Sequence, residues 1–177
     1  MTETMRDLLI QEMQDLYDAE KQLVKALPKL VKAVESEELA EGLRNHLEET
    51  QGHVSRLEEI FGLAGVPAKA KPCKAMKGLI EEGSEAIQEN EEGELRDLAI
   101  IAGAQRVEHY EISAYGTART LAEHLGMDQA AELLQQTEDE EKAADKHLTE
   151  AAMTLYESVE ANGEKLASAG RSRKNSR

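Results

Sequence analysis

The sequence predicts an all-α protein, a four-helix bundle with one long crossover that carries an extra short helix. Three observations lead there. The composition favours helix: Ala, Leu, Glu, Lys and Gln abound, with 3 Pro, no Trp and 3% aromatic residues. In four long segments, apolar residues recur at alternating spacings of three and four. The connections between those segments are short, long and short in turn, the pattern of two helical hairpins joined by a crossover.

The first helix is expected from about Thr4 to Val34. Its seam reads Leu16, Glu20, Leu23, Leu27, Leu30 and Val34, with a second apolar line at Leu8, Val24 and Val31. Pro28 lies inside, and the continuing periodicity favours a kink over an end. The second helix starts at Ser36, a good N-cap, and runs to about Leu63, where Gly65 and Pro67 stop it. Leu43, Leu47, Thr50, Val54, Leu57 and Phe61 form its stripe. "GVPAKAKPCK" reads as a loop. A short helix follows from about Ala75 to Glu89, and "ENEEGE" breaks it. The third long helix spans about Glu94 to Leu125, with a seam of Leu98, Ile101, Gln105, Glu108, Ile112 and Tyr115. Gly126 caps its end and Asp128 opens the fourth. That helix runs to about Glu160 through Leu134, Thr137, Glu141, Ala144, Leu148, Ala151 and Leu155. The bundle thus covers residues 1–161, and residues 162–177 are expected to be a basic, disordered tail.

Charge and composition exclude several classes of function. The net charge is −15, and five basic residues with no acidic one lie between Lys165 and Arg177, so the remainder carries −20. Such a body repels nucleic-acid phosphate and anionic lipid. No apolar run is long enough for a bilayer, and no signal-peptide pattern opens the chain, so a cytoplasmic address is expected. The single Cys73 builds neither an internal disulfide nor a cysteine metal site and is expected to be a surface or half-buried thiol.

Every long helix places acids where its periodicity asks for an apolar side chain, or beside that place. The first offers Glu20. The second offers Glu49 and His53, four apart and on one face, with His46 a turn earlier on nearly the same face. The third offers Glu108 and Glu111, three apart. The fourth offers Glu141 and Asp145, four apart. An internal echo links the hairpins, since Glu20 precedes Glu49 by 29 residues and Glu111 precedes Glu141 by 30. A carboxylate buried alone is costly, so buried ones are paired, protonated or bound to metal. Convergence of seven such groups at mid-bundle suits two divalent ions, Fe or Mn above all and Zn or Mg less selectively. Tyr17 and Tyr115 lie one turn from Glu20 and Glu111; each reads either as a core residue with a satisfied hydroxyl, the commoner case, or as a donor to a ligating carboxylate. His109, His124 and His147 fall outside the convergent faces.

The motifs "DAEKQL", "HLEET", "GLIEE", "QRVEHYEI", "AYGTA" and "EDEEKAAD" together resemble the YciF/YciE family of bacterial stress-associated, ferritin-like proteins over roughly Met5 to Glu157. The resemblance implies a ferritin-like bundle, a homodimer and a rubrerythrin-like dimetal site. Glu20, Glu49, Glu108, Glu111 and Glu141 match ligand positions. The Glu-x-x-His pairs of rubrerythrins are absent: His53 stands four residues after Glu49, and Asp145 takes the partner's place after Glu141. The expected function is metal binding with oxidase or peroxide chemistry. The alternative is a non-catalytic dimeric scaffold with a vestigial or structural metal site.

Overall fold

The computed structural model describes the backbone of residues 3–174 and the side chains of residues 3–162. The last helix continues to Lys174, past the end expected near Glu160 and through most of the tail expected to be disordered; side chains of residues 163–177 lie outside the described residues. Five helices follow in order: α1 Met5–Ala33, α2 Glu37–Leu63, α3 Lys74–Glu89, α4 Glu94–His124 and α5 Asp128–Lys174. No strand occurs among the described residues. The all-α bundle with a helix-bearing crossover is therefore observed.

Local chemistry sets the helix ends. Thr4 opens α1 with a capping box: its hydroxyl accepts from Asp7 N, and the Asp7 carboxylate accepts from Thr4 N. The Ser36 hydroxyl accepts from Leu39 N to open α2. α1 continues through Pro28, as its periodicity predicts. After α2 and α4 the chain turns at Gly65 (φ 66°) and Gly126 (φ 67°), the left-handed conformation that glycine adopts without strain. There Val66 N bonds back to Phe61 O and Met127 N to Ala122 O. Cys73 is more deeply buried than expected. It is 2% exposed because it caps α3, its Sγ accepting from Met76 N at 3.3 Å and lying 3.1 Å from the Tyr110 hydroxyl.

Each hairpin packs on itself, α1 on α2 and α4 on α5, and the hairpins meet through α1 with α4 and α2 with α5. The ring is closed, and α3 lies outside it against α4 and α1. The core falls into two apolar blocks. One contains Leu9, Met13, Leu16, Leu57, Phe61, Tyr115 and Leu134. The other contains Leu23, Leu27, Leu43, Met76, Ile101, Val107, Leu148 and Leu155. Buried polar side chains lie along the helices between these blocks, among them Glu20, Thr50, Glu108, Glu111 and Glu141. At the turn between α1 and α2, the buried Asp97 accepts from Glu35 N at 3.0 Å and Ser36 N at 2.8 Å.

Candidate metal centre

Glu20 from α1, His46 and His53 from α2, Glu108 and Glu111 from α4 and Glu141 from α5 meet in the layer between the apolar blocks. All six are at most 6% exposed. The seam positions explain why. Glu20 follows Leu16 by four and precedes Leu23 by three, so one helical stripe carries all three inward. Glu108 and Glu111 lie three apart on the face of α4 that also buries Ala104, Val107 and Tyr115.

The donor atoms form two overlapping groups. His46, Glu108, Glu111 and Glu141 each offer an atom within 4.8 Å of the others, as do Glu20, His53 and Glu141. Glu141 belongs to both. His53 Nδ1 lies 3.0 Å from Glu141 Oε1 and 3.4 Å from Glu20 Oε1. His46 Nε2 lies 3.4 Å from Glu108 Oε1 and 3.9 Å from Glu141 Oε2. The Tyr115 hydroxyl donates to Glu20 Oε1 at 2.5 Å, one of the two roles its spacing left open. Tyr17 does not share that role; its hydroxyl donates to Glu58 at 2.7 Å instead.

Burial dominates the electrostatics. It pushes Glu111 well above the carboxylate range, and the nearby Glu20, Glu141 and Glu108 add to the push. Glu108 is raised by burial against the pull of His46, and Glu20 by burial against the pull of His53. Burial also disfavours the charged imidazoles, but the acids outweigh it. Glu108, Glu49 and Glu141 raise His46 to about 9, and Glu141 with Glu20 raises His53 to about 10. Glu141 alone among the four carboxylates is lowered: burial opposes its charge, but His53 and His46 more than offset that.

Nearly every buried polar group in a folded protein finds a hydrogen-bond partner. Among the described residues, the buried side-chain atoms without one are Arg96 Nε and nine on this cluster. The nine are Glu20 Oε2, both His46 nitrogens, His53 Nδ1, Glu108 Oε2 and both oxygens of Glu111 and of Glu141. Lone pairs left over on converging carboxylates and imidazoles are what a hard or borderline cation takes up. The donor set fits divalent ions, with four carboxylates and two imidazoles shared between two positions.

Two predicted members lie elsewhere. Glu49 has a 48% exposed side chain, and its carboxylate reaches only His46 Nδ1, at 3.7 Å. The buried stripe of α2 runs through Leu43, His46, Thr50, His53, Leu57 and Ile60. It is rotated from the predicted stripe, so His46 and His53 occupy the inward places given to Leu47 and Val54. Glu49, about 100° around the helix from Thr50, is left at the rim. Asp145 has a 25% exposed side chain; it accepts from Gln105 at 3.1 Å and lies 3.4 Å from His109. It diverges about 40° from Glu141 around the helix, which carries it toward α4's outer edge. His147 is exposed, as expected, and so is His109.

Sequence reasoning missed Glu140 and Arg56. The His53 Nε2–H donates to Glu140 Oε2 at 2.9 Å, which aims Nδ1 into the cluster. Arg56 grips both Glu140 oxygens, at 2.9 and 3.1 Å, and also donates to the Thr137 hydroxyl. Glu140 sits in the run "EDEEK", where no periodicity distinguishes it, but Arg56 three residues after His53 is a readable hint.

Comparison with known proteins shows the family and the fold. The profile of a domain family described as of unknown function, DUF892, matches residues 4–160. The chain is 48% identical over 151 residues to Protein YciF of Escherichia coli (strain K12), covering 85% of this chain and 91% of that protein. The crystal structure of the E. coli stress protein YciF superposes with a TM-score of 0.85 at 46% identity, over 88% of this chain and 99% of that one. YcfI from Rhodopseudomonas palustris gives 0.81 at 43% identity, over 83% and 94%. A Xanthomonas campestris protein at 17% identity shares the fold, with a TM-score of 0.70 over 91% and 99%.

Proposed function

This chain belongs to the DUF892 family, and from that premise we propose that it is a metal-binding, ferritin-like stress protein with a dinuclear Fe or Mn centre that reacts with peroxide or oxygen. The observation that carries the reading is the sharing of Glu141 between two buried donor groups, nine of whose side-chain atoms have no hydrogen-bond partner. Glu20, His53 and Glu141 would hold one ion, and Glu141, His46, Glu108 and Glu111 the other. Fe or Mn, if bound there, would supply one-electron redox chemistry.

The chain's own residues do the rest. The two apolar blocks exclude water from above and below the layer. Tyr115 orients Glu20 through its hydroxyl, and Glu140 orients His53. Glu141 keeps its charge beside both imidazoles, so it is the carboxylate readiest to ligate near neutral pH. Glu111 favours its protonated form in the metal-free protein, and binding of a cation would release that proton.

Elemental analysis of purified protein tests the reading. About two Fe or Mn ions per chain are expected, with rapid loss of peroxide on mixing. Protein that binds metal but is inert to peroxide is the non-catalytic scaffold. Protein that folds without metal and takes none up overturns the centre itself. The chain also fits a homodimer, because Leu95, Met153 and Tyr156 are 52–65% exposed near one end of the bundle. Light scattering should give twice the chain mass of 19.5 kDa. No helix among the described residues is long and apolar enough to cross a membrane.

A further inference from the structure

A cavity of about 270 Å³ opens between α2 and α5 and ends on the cluster. Its walls are Leu39, Leu43, Leu148 and Ala151, and its floor is His46 and Glu108. Glu38, Glu49 and Glu150 stand at its sides. His46 is 6% exposed, and neither of its ring nitrogens has a hydrogen-bond partner. The cavity therefore brings apolar walls and an unsatisfied polar floor to the same place.

We propose that this cavity is a binding pocket for an uncharged organic molecule with an apolar body and a terminal hydroxyl or hydroperoxyl group. Size, polarity and charge each narrow the choice. A dry apolar cavity of about 150 Å³ suffices for benzene, so this one takes a larger, substituted body and is oversized for hydrogen peroxide alone. The leucines remove that body from water, which is the main source of affinity. At the floor, one His46 ring nitrogen donates to the ligand's oxygen, and the ligand's O–H donates to a Glu108 oxygen. An ion in the cluster would engage at most one His46 nitrogen and need not engage both Glu108 oxygens, so both groups keep capacity for the ligand. Anions are disfavoured by the carboxylates at the sides, Glu38, Glu49 and Glu150, which outnumber the two histidines, His46 and His147, that also line the cavity. That the ligand is a substrate rests on the metal-centre reading; that it binds does not.

The test titrates cumyl alcohol, an inert stand-in for the hydroperoxide, into metal-free and metal-loaded full-length protein. Binding is followed by NMR at His46, Leu43 and Leu148. 4-Isopropylbenzoate, of similar size but anionic, is the control. Gly42→Leu is the blocking variant, because Gly42 lines the cavity and a Cβ there meets nothing within 4 Å. Ala144→Leu, from the opposite helix, is the second. The expected result is saturable shifts at those three residues, with at least tenfold weaker binding of the anion and of the alcohol to either folded variant. Absence of binding, equal binding of the anion, or full affinity in both variants overturns the proposal. Metal content of the same samples is measured separately. Alcohol binding without metal uptake sinks the metal centre and leaves the pocket, and metal uptake without alcohol binding does the reverse.

Discussion

At the scale of single residues, two glutamates that look alike in sequence behave oppositely. Neither has a hydrogen-bond partner at either oxygen, but Glu141 lies 3.0 Å from one imidazole and 3.9 Å from another, which favour its charge, while Glu111 faces Glu20, Glu141 and Glu108, which oppose it. Glu111→Leu should therefore stabilise the chelated protein by about 1–3 kcal/mol, because an unsatisfied buried group is removed. Glu141→Leu should destabilise it by roughly 3 kcal/mol, since it strands two raised histidines. Both should lose most of the stabilisation that Mn(II) gives wild type; denaturant melts with chelator and with Mn(II) check the signs. Glu140→Gln keeps the size of the group and loses its charge, so it should weaken metal binding by about 10–100-fold while leaving the fold intact. A competition titration with a chromophoric chelator measures it, and an unchanged affinity would show that His53 is aimed by packing alone. Glu20, Glu108 and Glu141 were readable as polar intruders on apolar seams, and His53 and Glu111 as polar groups beside them. Glu140 was not, because it acts from a half-exposed position through a partner 87 residues away.

At the scale of the element, α2 shows what periodicity resolves and what it leaves open. Its limits follow from Ser36 at one end and the glycine turn at the other. The angle at which it rolls against α1 and α5 is a property of their joint packing, and a roll of under half a right angle exchanges Leu47 and Val54 for His46 and His53. That roll turns the inward face toward Glu49's side of the helix, but only far enough to bury His46; the Glu49 side chain stays 48% exposed at the rim. Asp97 is a second feature hidden from local pattern. It stands on the first turn of α4, where an acid ordinarily faces the helix's own amides. Here it accepts from the backbone of the α1–α2 turn, 61 and 62 residues away. Asp97→Ala should cost about 1–3 kcal/mol by leaving two amides without their acceptor. Thermal melting gives the size, and faster hydrogen exchange at Glu35 and Ser36 distinguishes loss of this bond from general destabilisation.

At the scale of the whole molecule, the metal-free protein should lose stability as pH rises. Glu20, Glu108 and Glu111 are raised, so the folded chain holds protons that the unfolded chain gives up. Their contribution fades from the ordinary carboxylate range upward. His46 and His53 contribute fully below their unfolded value of 6.5 and lose that contribution as pH passes about 9 and about 10. Glu141, being lowered, works the other way, but only at acid pH below its ordinary value of 4.5. The melting temperature of chelated protein should thus fall between about pH 6 and about pH 9, and the gain from added Mn(II) should grow across that range. A flat profile would mean that water reaches the layer. The topology was legible because hairpins and crossover are set by connection lengths that a sequence displays directly. The division of the core into two blocks was foreshadowed only by the intruding acids, and it separates two kinds of inheritance. The leucines and alanines on either side keep four helices in register, while the layer between them holds the donor atoms on which any choice of ion would rest. A lineage could alter those donors, or fill the layer with leucine, and each descendant would still have both blocks to fold around.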